Sequence, residues 1–321
     1  MRTSVRPATS CSRSSRGCPA PTRASRGRSC EGPRRPRPDR GPAPCRRASR
    51  WAGSSSGQQG SLVTVDLQRR LDAASSIARD AGELALDFFE RRESLITETK
   101  GQQDYVSVAD REVEALIVRR LVEEFPDDST LGEEGGGTTG DAVWVIDPID
   151  GTTNFLRGIP FWCISIAFVW RGVTEIGVVR DPTRDQLFSA LRGGGARLND
   201  RAIGVSGRSS LDDALVGFGY GGRSDPAGFA EASRRILERH AEFRRLGSAA
   251  LSLCYVASGR LDGFWQAHLS AWDALAAMVV IREAGGRTND FLADGGLARG
   301  NHVLAATPGL FDDLAALSGL G

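Results

Sequence analysis

Apolar side chains along this chain follow two rhythms, and the change from one to the other marks out its elements. Leu67, Leu71, Ala74, Ala78, Ala81, Ala85 and Phe88 recur every three or four positions, which puts them on one face of a helix. Asp66 stands just before them with the short acceptor side chain that caps a helix start, and the helix is predicted to end near Arg92. A second helix is predicted after Asp110, with Val113, Leu116, Ile117, Leu121 and Val122 along one side. Pro126 closes it, because proline has no N–H for the helical ladder. The apolar run at 143–146 then suits a buried strand that stops at Asp147-Pro148. Segments 163–170, 175–179 and 186–190 read as a meander of three strands, with turns at Arg171-Gly172 and Asp181-Pro182. Helical patterns return at 228–240, 248–257 and 273–284, followed by a short strand at 303–306 and a last helix at 310–317. Strands and helices in alternating blocks favour an α+β or layered α/β architecture.

The first 60 residues carry neither rhythm. They are Arg, Pro, Ser and Gly with almost no aliphatic side chains, so no apolar face offsets the entropy of ordering them, and the segment is predicted to be disordered. Its 14 arginines face only Glu31 and Asp39, so it carries +12 while the rest of the chain carries −11. Three origins compete: an Arg- and Ser-rich transit peptide, a basic nucleic-acid arm, or upstream sequence included through a misassigned start codon. The last is preferred, since patterned sequence begins abruptly afterwards. Residues 61–321 then form a single catalytic unit, and its acidic balance makes nucleic acid an unsuitable partner.

No run of about 18 apolar residues occurs, so a membrane is not an expected partner either. Cys11, Cys18, Cys30 and Cys45 fit neither a paired zinc pattern nor CxxC and read as unpaired. Cys163 and Cys254 lie in apolar runs, where small buried thiols are common. This usage fits a reducing, cytoplasmic setting.

Chemistry concentrates where the 143–146 run stops. Asp147-Pro148-Ile149-Asp150-Gly151-Thr152-Thr153-Asn154-Phe155 sets two carboxylates three residues apart directly after a strand. Pro148 stiffens the link, Gly151 lets backbone come close to a ligand, and the polar residues that follow are good helix starters whose N–H groups can face an anion. Carboxylates beside such N–H groups suit a metal ion and a phosphate together, and a hard ion such as magnesium takes oxygen ligands. His240, His268 and His302 show no HExxH spacing, so a zinc hydrolase is disfavoured and each reads as structural or surface. Further acids are Asp110 at a helix start, Glu133 and Glu134 in a glycine-flanked loop, and Asp273 after Trp272. Singly, Asp110 and Asp273 read more readily as helix caps, and the Glu pair as a solvated loop.

In this order the acids resemble the inositol monophosphatase family, over about residues 65 to 318. The nine-residue run from Asp147 matches the family's main motif, and Trp272-Asp273-Ala274 with Glu283-Ala284-Gly285-Gly286 matches its C-terminal one. The resemblance implies an α+β fold, a layered α-β-α-β-α sandwich, in a homodimer. It implies two or three Mg2+ ions: Glu133, Asp147 and the Ile149 carbonyl around the first, and Asp147, Asp150 and Asp273 around the second. A third, weaker ion sits near Glu133. The Gly151 and Thr152 N–H groups would hold phosphate, and Thr152 and Asp110 would orient a metal-activated water.

Gly247-Ser248-Ala249 resembles the family's substrate-side segment, where Ser248 bonds the polyol or its phosphate; simple helix capping explains it equally well. Gln266 departs from the family, which usually carries Glu seven residues before the metal-binding Asp. Phe264 and Trp265 read as core more readily than as pocket. Gly135-Gly136-Gly137 and Gly193-Gly194-Gly195 read as turns. The expected substrate is therefore a small polyol phosphate, first of all inositol-1-phosphate. Histidinol phosphate is the alternative, with fructose bisphosphate and adenosine bisphosphate behind it. A non-catalytic RNA-associated regulatory protein is the competing class.

Overall fold

Residues 65–92, 97–101 and 104–319 are described by the computed structural model. The basic extension, its four cysteines and its predicted disorder lie outside the described residues. The chain begins with helix α1 (Leu67–Glu90), hairpin strands β1 (Thr97–Gly101) and β2 (Asp104–Ser107), and helix α2 (Val108–Glu124). Strands β3 (Ser129–Gly132), β4 (Gly136–Gly137) and β5 (Ala142–Asp150) lead into the short helix α3 (Thr152–Leu156). A run of strands follows: β6 (Cys163–Trp170), β7 (Val173–Asp181), β8 (Gln186–Leu191), β9 (Gly195–Leu198), β10 (Arg201–Ala202) and β11 (Leu215–Phe218). Next come α4 (Pro226–Glu238), β12 (Glu242–Arg244), α5 (Ala249–Ala257), β13 (Gly263–Leu269), α6 (Ala271–Glu283) and β14 (Arg287–Thr288). The C-terminal part holds α7 (Gly296–Arg299), β15 (Asn301–Ala306) and α8 (Phe311–Ser318).

Eight strands form one sheet in the order β10-β9-β8-β7-β6-β5-β3-β4, antiparallel except where β3 runs parallel to β5. Its central strands are apolar on both faces, as expected for a sheet covered on both sides. Trp144 and Ile146 of β5 pack with Ile77 and Ala81 of α1 and Ile117 of α2, while Val143 and Val145 pack with α5 and α6. A second sheet, β12-β11-β13-β15-β14, lies beyond α5 and α6. Its far face buries Val216, Phe218 and Trp265 against Ile236 of α4 and Leu314 of α8. The layers therefore run α-β-α-β-α, an α+β sandwich.

The predicted start of α1 holds: Asp66 accepts a hydrogen bond from the Arg69 N–H at 3.0 Å. Helix α2 starts at Val108, three residues earlier than predicted, so Asp110 lies inside its first turn and does not cap it. Asp273 is the third residue of α6, where its side chain accepts from the Ser270 N–H and closes a capping box at the helix start. The central layer sits close to the large sheet because Gly177 of β7 has no side chain; a Cβ there would fall 2.0 Å from the Ala276 carbonyl oxygen of α6. That approach, with Ser165 of β6 donating to the Trp272 carbonyl at 2.8 Å, brings the start of α6 to the end of β5.

Candidate active site

Strand β5 leaves regular pairing at the predicted place. Its register with β6 shifts between Asp147 and Asp150, across Pro148, which has no N–H to donate to the ladder. The bulge turns both carboxylates toward the start of α6. Oxygens of Asp147, Asp150 and Asp273 all lie within 4.8 Å of one another. Three carboxylates cannot share so small and dry a space as full charges. Asp147 is held well above its ordinary pKa, first by burial and then by the charges of Glu133, Asp150 and Asp273. Asp273 is pushed up to about 7, chiefly by burial and then by Asp150. Asp150 is raised less, since hydrogen bonds from Ser248, Ala249, Ala250 and Cys163 oppose its burial.

This cluster fits a cation. Oδ1 of Asp147 accepts from the Ile149 N–H at 3.0 Å, but Oδ2 is buried with no hydrogen-bond partner. A donor set made only of oxygens suits a hard divalent ion. Glu133, in the β3–β4 turn, lies near enough to perturb Asp147 but is not one of the tight trio. Its N–H is tied to the Ile146 carbonyl of β5 at 3.2 Å.

Helix α5 holds Asp150 from the other side. Ser248, the N-cap, accepts from the Leu251 N–H at 3.3 Å and donates to Asp150 Oδ2 at 2.5 Å, while the Ala250 N–H reaches the same oxygen at 2.7 Å. The capping alternative for Ser248 is thus the observed one, and its hydroxyl hydrogen is committed to Asp150. Gly247 adopts φ +90°, and a Cβ there would meet Asn154 Nδ2 at 2.7 Å. Asn154 is a connector: its amide donates to the Phe161 carbonyl at 2.7 Å and to Leu246 at 2.8 Å, joining α3 to the segment before α5.

At the start of α3, Gly151 takes φ +100°, and a Cβ would crowd the Gly247 and Phe161 carbonyls and Ser248. The N–H groups of this first turn have no partner within the helix. Thr152 Oγ1 lies 3.1 Å from the Ile149 carbonyl and 3.3 Å from Asp110 Oδ1; its one hydrogen serves either acceptor. Asp110 is 1% exposed.

The site opens on a cavity of about 1300 Å³. Glu133, Asp150 and Asp273 form its acidic wall, and Arg157, Arg223 and Arg245 stand on the remainder. Arg223 and Arg245 follow β11 and β12, the parallel strands whose carboxyl ends face the cavity. Arg223 donates to Ser270 Oγ at 2.8 Å, and the Ser270 N–H in turn holds Asp273 Oδ2 at 2.8 Å. Gln266 also lines the cavity; its amide donates to the His268 carbonyl at 3.1 Å. Phe264 touches the cavity while Trp265 is core, and His268 lies on the wall rather than apart from it. The residue reading missed Asn154 as a connector, the three arginines, and Glu114. Spacing could have found Glu114: it follows Asp110 by four residues, so both face the same way from α2.

Together with the matches below, the layered fold and the carboxylate cluster place the chain among phosphoric monoester hydrolases of a metal-dependent kind. The chain belongs to the inositol monophosphatase family, whose model matches residues 66–318. It is 44% identical over 240 residues to an inositol-1-monophosphatase of Rhizobium meliloti, covering 73% of this chain and 86% of that protein. It is 40% identical over 257 residues to a protein of Pseudomonas aeruginosa named Nus factor SuhB, covering 77% and 95%. The extragenic suppressor protein suhB of Bartonella henselae superposes with a TM-score of 0.74 at 35% identity, covering 79% of this chain and 99% of that structure.

Proposed function

We propose that the chain is a magnesium-dependent phosphatase for a small polyol phosphate, inositol-1-phosphate foremost. The observation that carries the reading is the unpartnered, buried Oδ2 of Asp147 inside the carboxylate trio. Glu133, Asp147 and the Ile149 carbonyl would hold one Mg2+, and Asp147, Asp150 and Asp273 a second, and by the family resemblance a weaker third ion would lie near Glu133. When bound, such ions activate water and neutralise charge on a phosphoryl group. Residues 61–321 would form the catalytic unit, in a cytoplasmic homodimer.

The chain's own groups then have distinct tasks. The Gly151 and Thr152 N–H groups would bind phosphate oxygens at the α3 start. Thr152 would align the attacking water with one lone pair while giving its hydrogen to Asp110, the buried acceptor behind it. Arg157, Arg223 and Arg245 favour an anionic substrate and repel an ammonium group, which ranks polyol phosphates above histidinol phosphate.

Phosphate release with magnesium from inositol-1-phosphate, histidinol phosphate, fructose bisphosphate and adenosine bisphosphate tests the ranking. Preference for histidinol phosphate by more than about a hundredfold would reverse it. Thr152→Ala should lower turnover roughly a hundredfold while metal affinity holds. A second reading, a regulatory protein of the Nus-factor kind, is favoured by the names of several relatives. An Asp147→Asn chain that retains regulatory function without hydrolysis would separate the two.

A further inference from the structure

The face of α2 that presents Asp110 presents a second buried carboxylate one turn later. Glu114 is 5% exposed. Its Oε2 accepts from the Glu134 N–H at 2.9 Å and its Oε1 from the Gly135 N–H at 2.6 Å. The backbone flanking Glu133 is therefore pinned on both sides: its own N–H goes to Ile146 of β5, and the next two go to Glu114. The fit is close, since a Cβ on Gly132 would lie 2.5 Å from the Glu114 carboxyl carbon and one on Gly135 would lie 2.8 Å from Oε1. Two convergent N–H donors require two acceptor oxygens. A carboxylate supplies both, whereas an amide would turn an NH2 group against one of the donors.

We infer that Glu114 is a positioning residue that clamps the turn carrying Glu133 and so sets the affinity of the carboxylate centre for its metal ions. The inference rests on the assignment of Glu133 as a metal ligand. A residue that merely stabilised the turn would change melting temperature and leave ion affinity alone. A clamp acting through Glu133 changes affinity, and does so only while Glu133 is present.

The test is Mn2+ binding to the full-length protein, followed by electron paramagnetic resonance and calorimetry, in a double-mutant cycle. Glu114→Gln should weaken Mn2+ at least tenfold in the wild-type background and less than twofold in a Glu133→Gln background. Gly135→Ala, which presses on the clamp from the turn side, should weaken Mn2+ in the same way and serves if Glu114→Gln does not fold. Affinity within twofold of wild type in a folded Glu114→Gln or Gly135→Ala protein overturns the inference. So does an equal loss in both backgrounds, which would mean that the Glu114 charge acts without Glu133. If Glu133→Gln itself leaves Mn2+ affinity unchanged, the ligand assignment fails, and this inference fails with it.

Discussion

Ser248 gives its hydroxyl hydrogen to Oδ2 of Asp150 at 2.5 Å, so one side chain caps a helix and orients a carboxylate of the acidic trio. Ser248→Ala should remove a cap worth about 1 kcal/mol and a charge-assisted bond worth about 1.5–3 kcal/mol. That bond holds down the proton affinity of Asp150. Its loss should weaken magnesium about tenfold, the equivalent of about 1.4 kcal/mol. Calorimetric titration checks this, and a dissociation constant within twofold of wild type would contradict it.

Asp147→Asn should leave less than about a tenth of the wild-type rate at saturating magnesium, because the change removes charge from the carboxylate assigned to both ions. The metal-free protein should gain stability, since one of the crowded charges has gone. Its melting temperature should rise about 2–4 °C for each kcal/mol of repulsion relieved. A fall in metal-free melting temperature would show that the site is not strained by like charges.

The pH dependence follows from Asp273. Its pKa in the fold is about 7, against an ordinary 3.8, so the folded state holds a proton that the unfolded chain releases. This contribution to stability is complete below about pH 3.8 and is lost as pH rises through about 7. Metal-free melting temperature should therefore drop between about pH 4 and 7 and level off above that on this account. Magnesium competes with that proton, so affinity should rise with pH up to about 7 and level off above, with protons released on binding below that pH. Calorimetry in buffers of different ionisation heat measures the release; pH-independent affinity would refute the assignment.

Gln266→Glu should destabilise the protein rather than recruit a polyol. The Gln266 amide donates to the His268 carbonyl, and a carboxylate there would set two acceptors against each other at a buried position. The cost should be about 1–3 kcal/mol, seen as a lower denaturation midpoint. Unchanged stability with better use of inositol-1-phosphate would restore the simpler view that this position reads hydroxyl groups.

The middle of the large sheet, β5 to β8, and the central helices were legible because they are long enough to display a period, whereas the outer strands β3, β4, β9 and β10, of four, two, four and two residues, were not. β5 and β6 are apolar on both faces, and α1 repeats through six turns. The smaller sheet was mostly illegible: β11, β12 and β14 have four, three and two residues, too few to separate alternation from chance. At the site, the spacing of Asp147 and Asp150 stood out against a strand end. Asn154 did not, because it acts by bonding backbone as far away as Leu246, which no local pattern encodes; Glu114 showed only its helical spacing from Asp110, while its bonds to the Glu134 and Gly135 N–H groups stayed hidden.

The centre is built from partners remote in sequence: Asp150 and Ser248 are 98 residues apart, Asn154 and Leu246 92, and Ser165 and Trp272 107. Closing loops of that length costs more chain entropy than forming local helices and hairpins. Asp147 and Asp150 share β5, whereas Asp273 comes from α6, so the third charge joins them only where the central helices pack on the large sheet. A divalent ion that recognises the assembled trio stabilises only the finished fold, by an amount set by its concentration over its dissociation constant. On the proposed magnesium-dependent reading, ion supply would then set the share of chains that hold this centre assembled, apart from any effect on turnover.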